Sequence, residues 1–187
     1  MISGVQYDFP GDAELAEAIV KKGKEQGLPV ILSSAEHFVL DYGTINPLRY
    51  ITPRFAIPVV PISSCLLADI QESIFWGQVI AEGIKHSSRR VIVIASGALS
   101  HTLVRGPERW PSEECQKLDR KFIELVTQGK ADELKSFFPC FVKDAEAEMG
   151  GRHLAILLGA TGDFRGKLHA YGPSSGSGNA VVSLLPA

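Results

Sequence analysis

Behind Asp12, the apolar positions Leu15, Ile19 and Val20 recur at helical spacing, and Asp12 itself can cap that helix. Glu14 and Glu17 precede Lys21, Lys22 and Lys24, the charge order that suits a helix dipole. Gly27 and Pro29 end the helix, and Val30, Ile31 and Leu32 open an apolar run of strand length. A second β-rich run covers 56–62. Its Pro58 and Pro61 cannot donate to a ladder, so an edge or irregular strand is expected there. Leu67, Ile70, Ile74, Phe75, Val79, Ile80 and Ile84 predict a helix within 66–85, and the continuous β-branched run 91–95 predicts a buried strand. Gly97 closes that strand and 98–111 reads as a loop. Helices are predicted over 113–127 and 131–138, with Pro139 allowing a new helical start. The stretch 141–158 is also helix-like, and Gly150-Gly151 can divide it in two. Strands over 167–171 and 180–184 close the pattern around a Gly/Ser-rich turn at 173–179. The alternation predicts an α/β fold, with a mixed central sheet flanked by helices, in a single domain over 1–187.

Composition narrows the classes of function. The 187 residues carry 19 Lys and Arg against 21 Asp and Glu, a net charge of −2, which gives no broad electrostatic footprint for nucleic acid or an acidic membrane surface. Cys65, Cys115 and Cys140 are widely spaced with no CxxC pair, the pattern of thiols in a reducing compartment rather than of zinc ligands. No apolar run approaches the roughly 18 residues of a membrane span, and 1–11 does not read as a signal peptide. A cytoplasmic protein without membrane or nucleic-acid partners is expected.

Four segments carry candidate chemistry. In 96–101, His101 stands just beyond the predicted buried strand, where an imidazole can serve as proton donor and acceptor or simply as a hydrogen-bonded loop residue. The segment 41–48 packs turn formers together: Asp41 can order a turn, Gly43 permits positive φ, and Tyr42 adds a hydroxyl. Glu146 and Glu148, two residues apart, would lie on different faces of a helix and so would not act as a pair. The run 174–179 has the look of a phosphate cradle but lacks the lysine and the strand–loop–helix context, which favours a plain turn.

These stretches occur together, in order. Tyr7-Asp8-Phe9-Pro10-Gly11-Asp12, Leu40-Asp41-Tyr42-Gly43-Thr44 with Pro47-Leu48, Ile94 to His101, and Glu148-Met149-Gly150-Gly151-Arg152 resemble the class III, LigB-type extradiol ring-cleavage dioxygenases over nearly the whole chain. Arg105-Gly106-Pro107 with Trp110-Pro111, and the run 172–179, make it most similar to the 2-aminophenol and homoprotocatechuate branch. The resemblance implies Fe(II) held by two histidines and one glutamate, with open positions for an aromatic substrate and O₂. It places the acid–base histidine at His101 and the iron carboxylate at Glu148, with Glu146 as fallback. Asp41 and Tyr42 fall in the substrate motif, where tyrosine stands in place of the family's histidine and favours an aminophenol-like substrate.

Five histidines are present, at 37, 86, 101, 153 and 169, and none precedes His37, which stands close to the substrate motif. In the resembling family both iron histidines come earlier. The expectation is therefore an extradiol dioxygenase lacking its N-terminal part, which alone holds Fe(II) weakly or not at all and cleaves no ring. The alternative is a non-catalytic partner subunit of a two-subunit dioxygenase. Either way a homo- or hetero-oligomer is expected.

Overall fold

A computed structural model describes residues 7–35 and 39–187, so His37 lies outside the described residues. The order of elements is α1 (Ala13–Glu25), α2 (Tyr42–Ile51), α3 (Ile70–Lys85), α4 (Glu113–Thr127), α5 (Ala131–Asp144), a 3₁₀ turn (Glu148–Gly151), α6 (Arg152–Thr161), β1 (Phe164–Ser174) and β2 (Ser177–Pro186). This is an α/β fold. Its sheet, among the described residues, is the antiparallel ribbon of β1 and β2. The chain divides into two compact units, one formed by 1–64 with 79–96 and the other by 65–78 with 97–187.

In the first unit Asp12 caps α1 as expected, its carboxylate accepting from the Leu15 N–H at 3.1 Å. Arg89 Nη1 lies 2.9 Å from the same carboxyl group. Leu15 and Ile19 are buried on α1, as are Ile45 and Leu48 on α2. Gly83 of α3 passes so close to α1 that a Cβ there would come within 2.8 Å of the Ile19 Cα. The predicted turn at 41–48 is instead the start of a helix. Asp41 is the N-cap of α2 and accepts from the Thr44 N–H at 2.7 Å, and Gly43 has no need of positive φ there. Capping by an Asp side chain uses the same short-range reach as a turn, which is why local sequence does not separate the two.

The apolar runs at 30–32 and 91–95 form no strand. Ile31 is 89% exposed and Ile92 78% exposed, so the buried strand expected at 91–95 is corrected to a segment without strand pairing. β-branched composition favours extended backbone, but a strand exists only where a neighbour completes its hydrogen bonds, and none does among the described residues. The proline-bearing run at 56–62 behaves as an irregular edge, touching Gly11 by one parallel bridge at Val59.

The second unit holds the larger core. Leu125, Leu134, Phe138, Phe141 and Ala155 are almost completely buried where α4, α5 and α6 meet, and Phe164 of β1 joins them. α4 has the predicted limits, with Ser112 as its cap. α5 runs through Pro139 without interruption, whereas the sequence suggests a new start there. Burial of Phe138 and Phe141 on either side of the proline outweighs the lost N–H. Gly150 and Gly151 do divide the next stretch, both at positive φ between the 3₁₀ turn and α6. The Gly/Ser-rich run is a two-residue hairpin turn with Ser175 and Gly176 at φ 52° and 84°.

Candidate functional site

The 98–101 loop is held on two sides. Toward β2, the Leu99 N–H donates to the Gly178 carbonyl at 2.8 Å and the Gly178 N–H returns to the Ser100 carbonyl at 3.0 Å, while His101 bridges Ser177. Toward the 3₁₀ turn, Ser100 bridges Ala147 and the Glu148 N–H reaches the Leu99 carbonyl at 3.3 Å. These contacts set two side chains face to face. His101 Nε2 lies 3.8 Å from Glu148 Oε1, and the other oxygen of Glu148 accepts from the Ala98 N–H. The Glu148 side chain is 18% exposed, so the pair opens to solvent on one side.

The backbone around Glu148 is unusual. Glu146 has φ 48° and Met149 φ 51°, followed by Gly150 at 60° and Gly151 at 71°. Left-handed conformation at a residue with a Cβ costs roughly 1–2 kcal/mol. Arg152 locks the run, donating from Nη1 to the Met149 carbonyl at 2.9 Å and from Nε to the Ala68 carbonyl at 2.7 Å. The result separates the two glutamates: Glu148 turns to the loop and Glu146 is exposed. Neither lies on the regular helix that the sequence suggests.

Sequence reasoning misses three residues here. His153 of α6 is 4% exposed, packs against Gly97, and finds no hydrogen-bond partner for either ring nitrogen among the described residues. Burial holds its pKa below the ordinary imidazole value, opposed in part by the Glu148 carboxylate. Asp119 of α4 is fully buried and accepts from the Ser100 N–H at 3.0 Å, the Ser100 hydroxyl at 2.7 Å and the Tyr171 hydroxyl at 2.7 Å. Burial raises the Asp119 carboxyl, and burial together with that carboxylate raises the Tyr171 phenol. One signal for Asp119 was available: with Cys115, Phe122 and Val126 it sits at helical spacing on the apolar face of α4, where a charge is out of place.

Of the expected residues, the structure brings His101 and Glu148 together. Asp41 and Tyr42 belong to the first unit, where Asp41 is engaged as a cap and the Tyr42 ring is exposed. A ferrous centre of the two-histidine, one-carboxylate kind requires three converging donors. Among the described residues no three His, Cys, Asp or Glu side chains converge, and one oxygen of Glu148 is already taken by a backbone N–H. The described donors by themselves therefore do not complete such a centre.

An imidazole and a carboxylate held by backbone on an α/β scaffold form a constellation for handling protons. Residues 1–183 match the model of the catalytic LigB subunit of aromatic ring-opening dioxygenase, and the chain belongs to that family. It is 32% identical to the 2-aminophenol 1,6-dioxygenase beta subunit of a Pseudomonas species, over 94% of this chain and 64% of that protein. It is 30% identical to the alpha subunit of the same name, also from a Pseudomonas species, over 95% and 69%. With the 3,4-dihydroxyphenylacetate 2,3-dioxygenase of Escherichia coli the identity is 26%, over 92% and 66%. The chain thus spans about two thirds of the length of these relatives.

Proposed function

We propose that the chain takes part in extradiol cleavage of an aromatic ring bearing adjacent oxygen or nitrogen substituents, a catechol or a 2-aminophenol, with both atoms of O₂ entering the product. The observation that carries this reading is the facing of His101 and Glu148 at 3.8 Å in a chain of the LigB family. His101 is the acid–base residue: it accepts the proton of a ring hydroxyl and later returns one as the ring opens. Glu148, rather than the exposed Glu146, is the carboxylate offered to Fe(II). Asp41 and Tyr42 are assigned to substrate binding by motif resemblance alone; a phenol can hydrogen-bond a ring substituent but gives no cation near neutral pH. The names of the relatives support an aromatic substrate and an assembly of more than one subunit.

Among the described residues no two further donors converge with Glu148, a set that holds Fe(II) weakly. The test is therefore made on the protein with Fe(II) supplied in excess. O₂ uptake and a ring-opened chromophore are expected with 2-aminophenol or catechol. His101→Ala should slow the reaction by about 10²- to 10⁴-fold, the usual worth of general acid–base catalysis. No uptake on either substrate, or an unaffected His101→Ala variant, overturns the reading.

A further inference from the structure

We propose that Asp119 is a positioning residue for His101: its buried carboxylate fixes Ser100, and through Ser100 the orientation in which the next residue's imidazole meets Glu148. The proposal rests on the reading of His101 given above. Three donors converge on this carboxylate, two of them from Ser100 and one from Tyr171 of β1. Ser100 Oγ, having given its proton to Asp119, accepts from the Gly178 N–H at 3.2 Å. One carboxylate on α4 thereby ties β1, β2 and the loop together. Gly178 has no room for a side chain, because a Cβ there would strike Asp119 Oδ2 and come within 2.9 Å of the Tyr171 hydroxyl.

A fully buried carboxylate normally has a cation beside it or is replaced by an apolar residue. Among the described ion pairs, none includes Asp119. What the carboxylate does have is an acceptor geometry that no apolar residue can supply, and both of its loop contacts are to the residue before His101. A shift at Ser100 passes directly through one peptide unit to the His101 Cα, and a misplacement of about 1 Å at a reacting group can cost 10²-fold in rate.

The experiment is a double-mutant cycle on the Fe(II)-supplied protein. Asp119→Ala should lower kcat by about ten- to a hundredfold with KM changed less than about twofold, and Asp119→Asn, which keeps one acceptor oxygen, should recover part of the loss. In the His101→Ala background Asp119→Ala should slow the reaction no further, since Asp119 acts through that imidazole. Full additivity with His101→Ala, or an unchanged kcat in a folded Asp119→Asn protein, overturns the proposal. Hydrogen exchange on residues 1–187 decides the matter independently of any activity. Faster exchange of the 98–101 amides in Asp119→Asn, with α5 protection intact, supports the clamp even if ring cleavage is never observed. Unchanged exchange there sinks it.

Discussion

His153 carries the clearest pH dependence. Its ring is neutral in the fold because burial removes the water that would solvate the cation, with the nearby His101 ring adding to the effect and the Glu148 carboxylate opposing it. In the unfolded chain an ordinary histidine titrates near 6.5. Between the lowered folded value and that one, the unfolded chain binds a proton that the fold does not, so stability rises with pH and this contribution is complete above about 6.5. Acidification below pH 6.5 should cost up to about 1.4 kcal/mol per unit through this single site, with no cost from it between pH 7.5 and 6.5. His153→Leu should flatten that slope in urea unfolding; parallel slopes for the two proteins would show that the ring is not the source. At this scale the sequence was legible where a residue type carries its own chemistry. His101 and Glu148 stand out through motif resemblance, and Asp12 through the preference of short polar side chains for helix starts. The facing of His101 and Glu148 was not legible, since 46 intervening residues must fold before the two side chains meet.

Among the elements of the second unit, α3 and α6 cross closely at two glycines. A Cβ on Gly77 would collide with the Ile156 carbonyl, and one on Gly159 with the Ile74 carbonyl. Both obstacles are backbone, so a rotamer change cannot relieve them. Gly→Ala within a helix normally gains about 0.5–1 kcal/mol. Here Gly77→Ala and Gly159→Ala should instead each destabilise by about 1–3 kcal/mol or more, as overpacking does, read as a lower urea midpoint. A neutral or stabilising effect would mean that the helices stand further apart. Helical periodicity announced α1, α3 and α4 because an amphipathic stripe is local information. The expected strand at 91–95 is absent for the opposite reason: a strand is defined by its neighbour, and without one Ile92 and Ile94 stay exposed. Pro139 was misjudged as a boundary because a local rule about the missing N–H takes no account of the phenylalanines packed around it.

For the whole molecule, the exposed apolar residues of the first unit have a physical consequence. Ile31, Ile57, Ile92 and Ile94 belong to runs of strand composition that leave them in water. Exposed apolar side chains of this kind favour association. Sedimentation of residues 1–187 at micromolar concentration should give species heavier than the 20.2 kDa chain, and Ile92→Lys should shift them toward the monomer. A clean monomer for the unsubstituted chain would remove the argument. No helix among the described residues is long and apolar enough to cross a membrane, in keeping with the absence of a spanning run in the sequence.

By itself the sequence determined the helices with strong periodicity, the Asp12 cap, the closing hairpin and, through its motifs, the family. These depend on contacts within a few positions of one another or on residue type alone. Only the tertiary structure decided that Glu148 and not Glu146 faces His101, that Asp119 and Tyr171 brace the loop between them, and that His153 is sealed against Gly97. Each of those outcomes turns on which distant backbone segments share the same hydrogen bonds and the same excluded volume. That is fixed when α4, α6, the 3₁₀ turn and the hairpin pack around one core, and no local pattern encodes it.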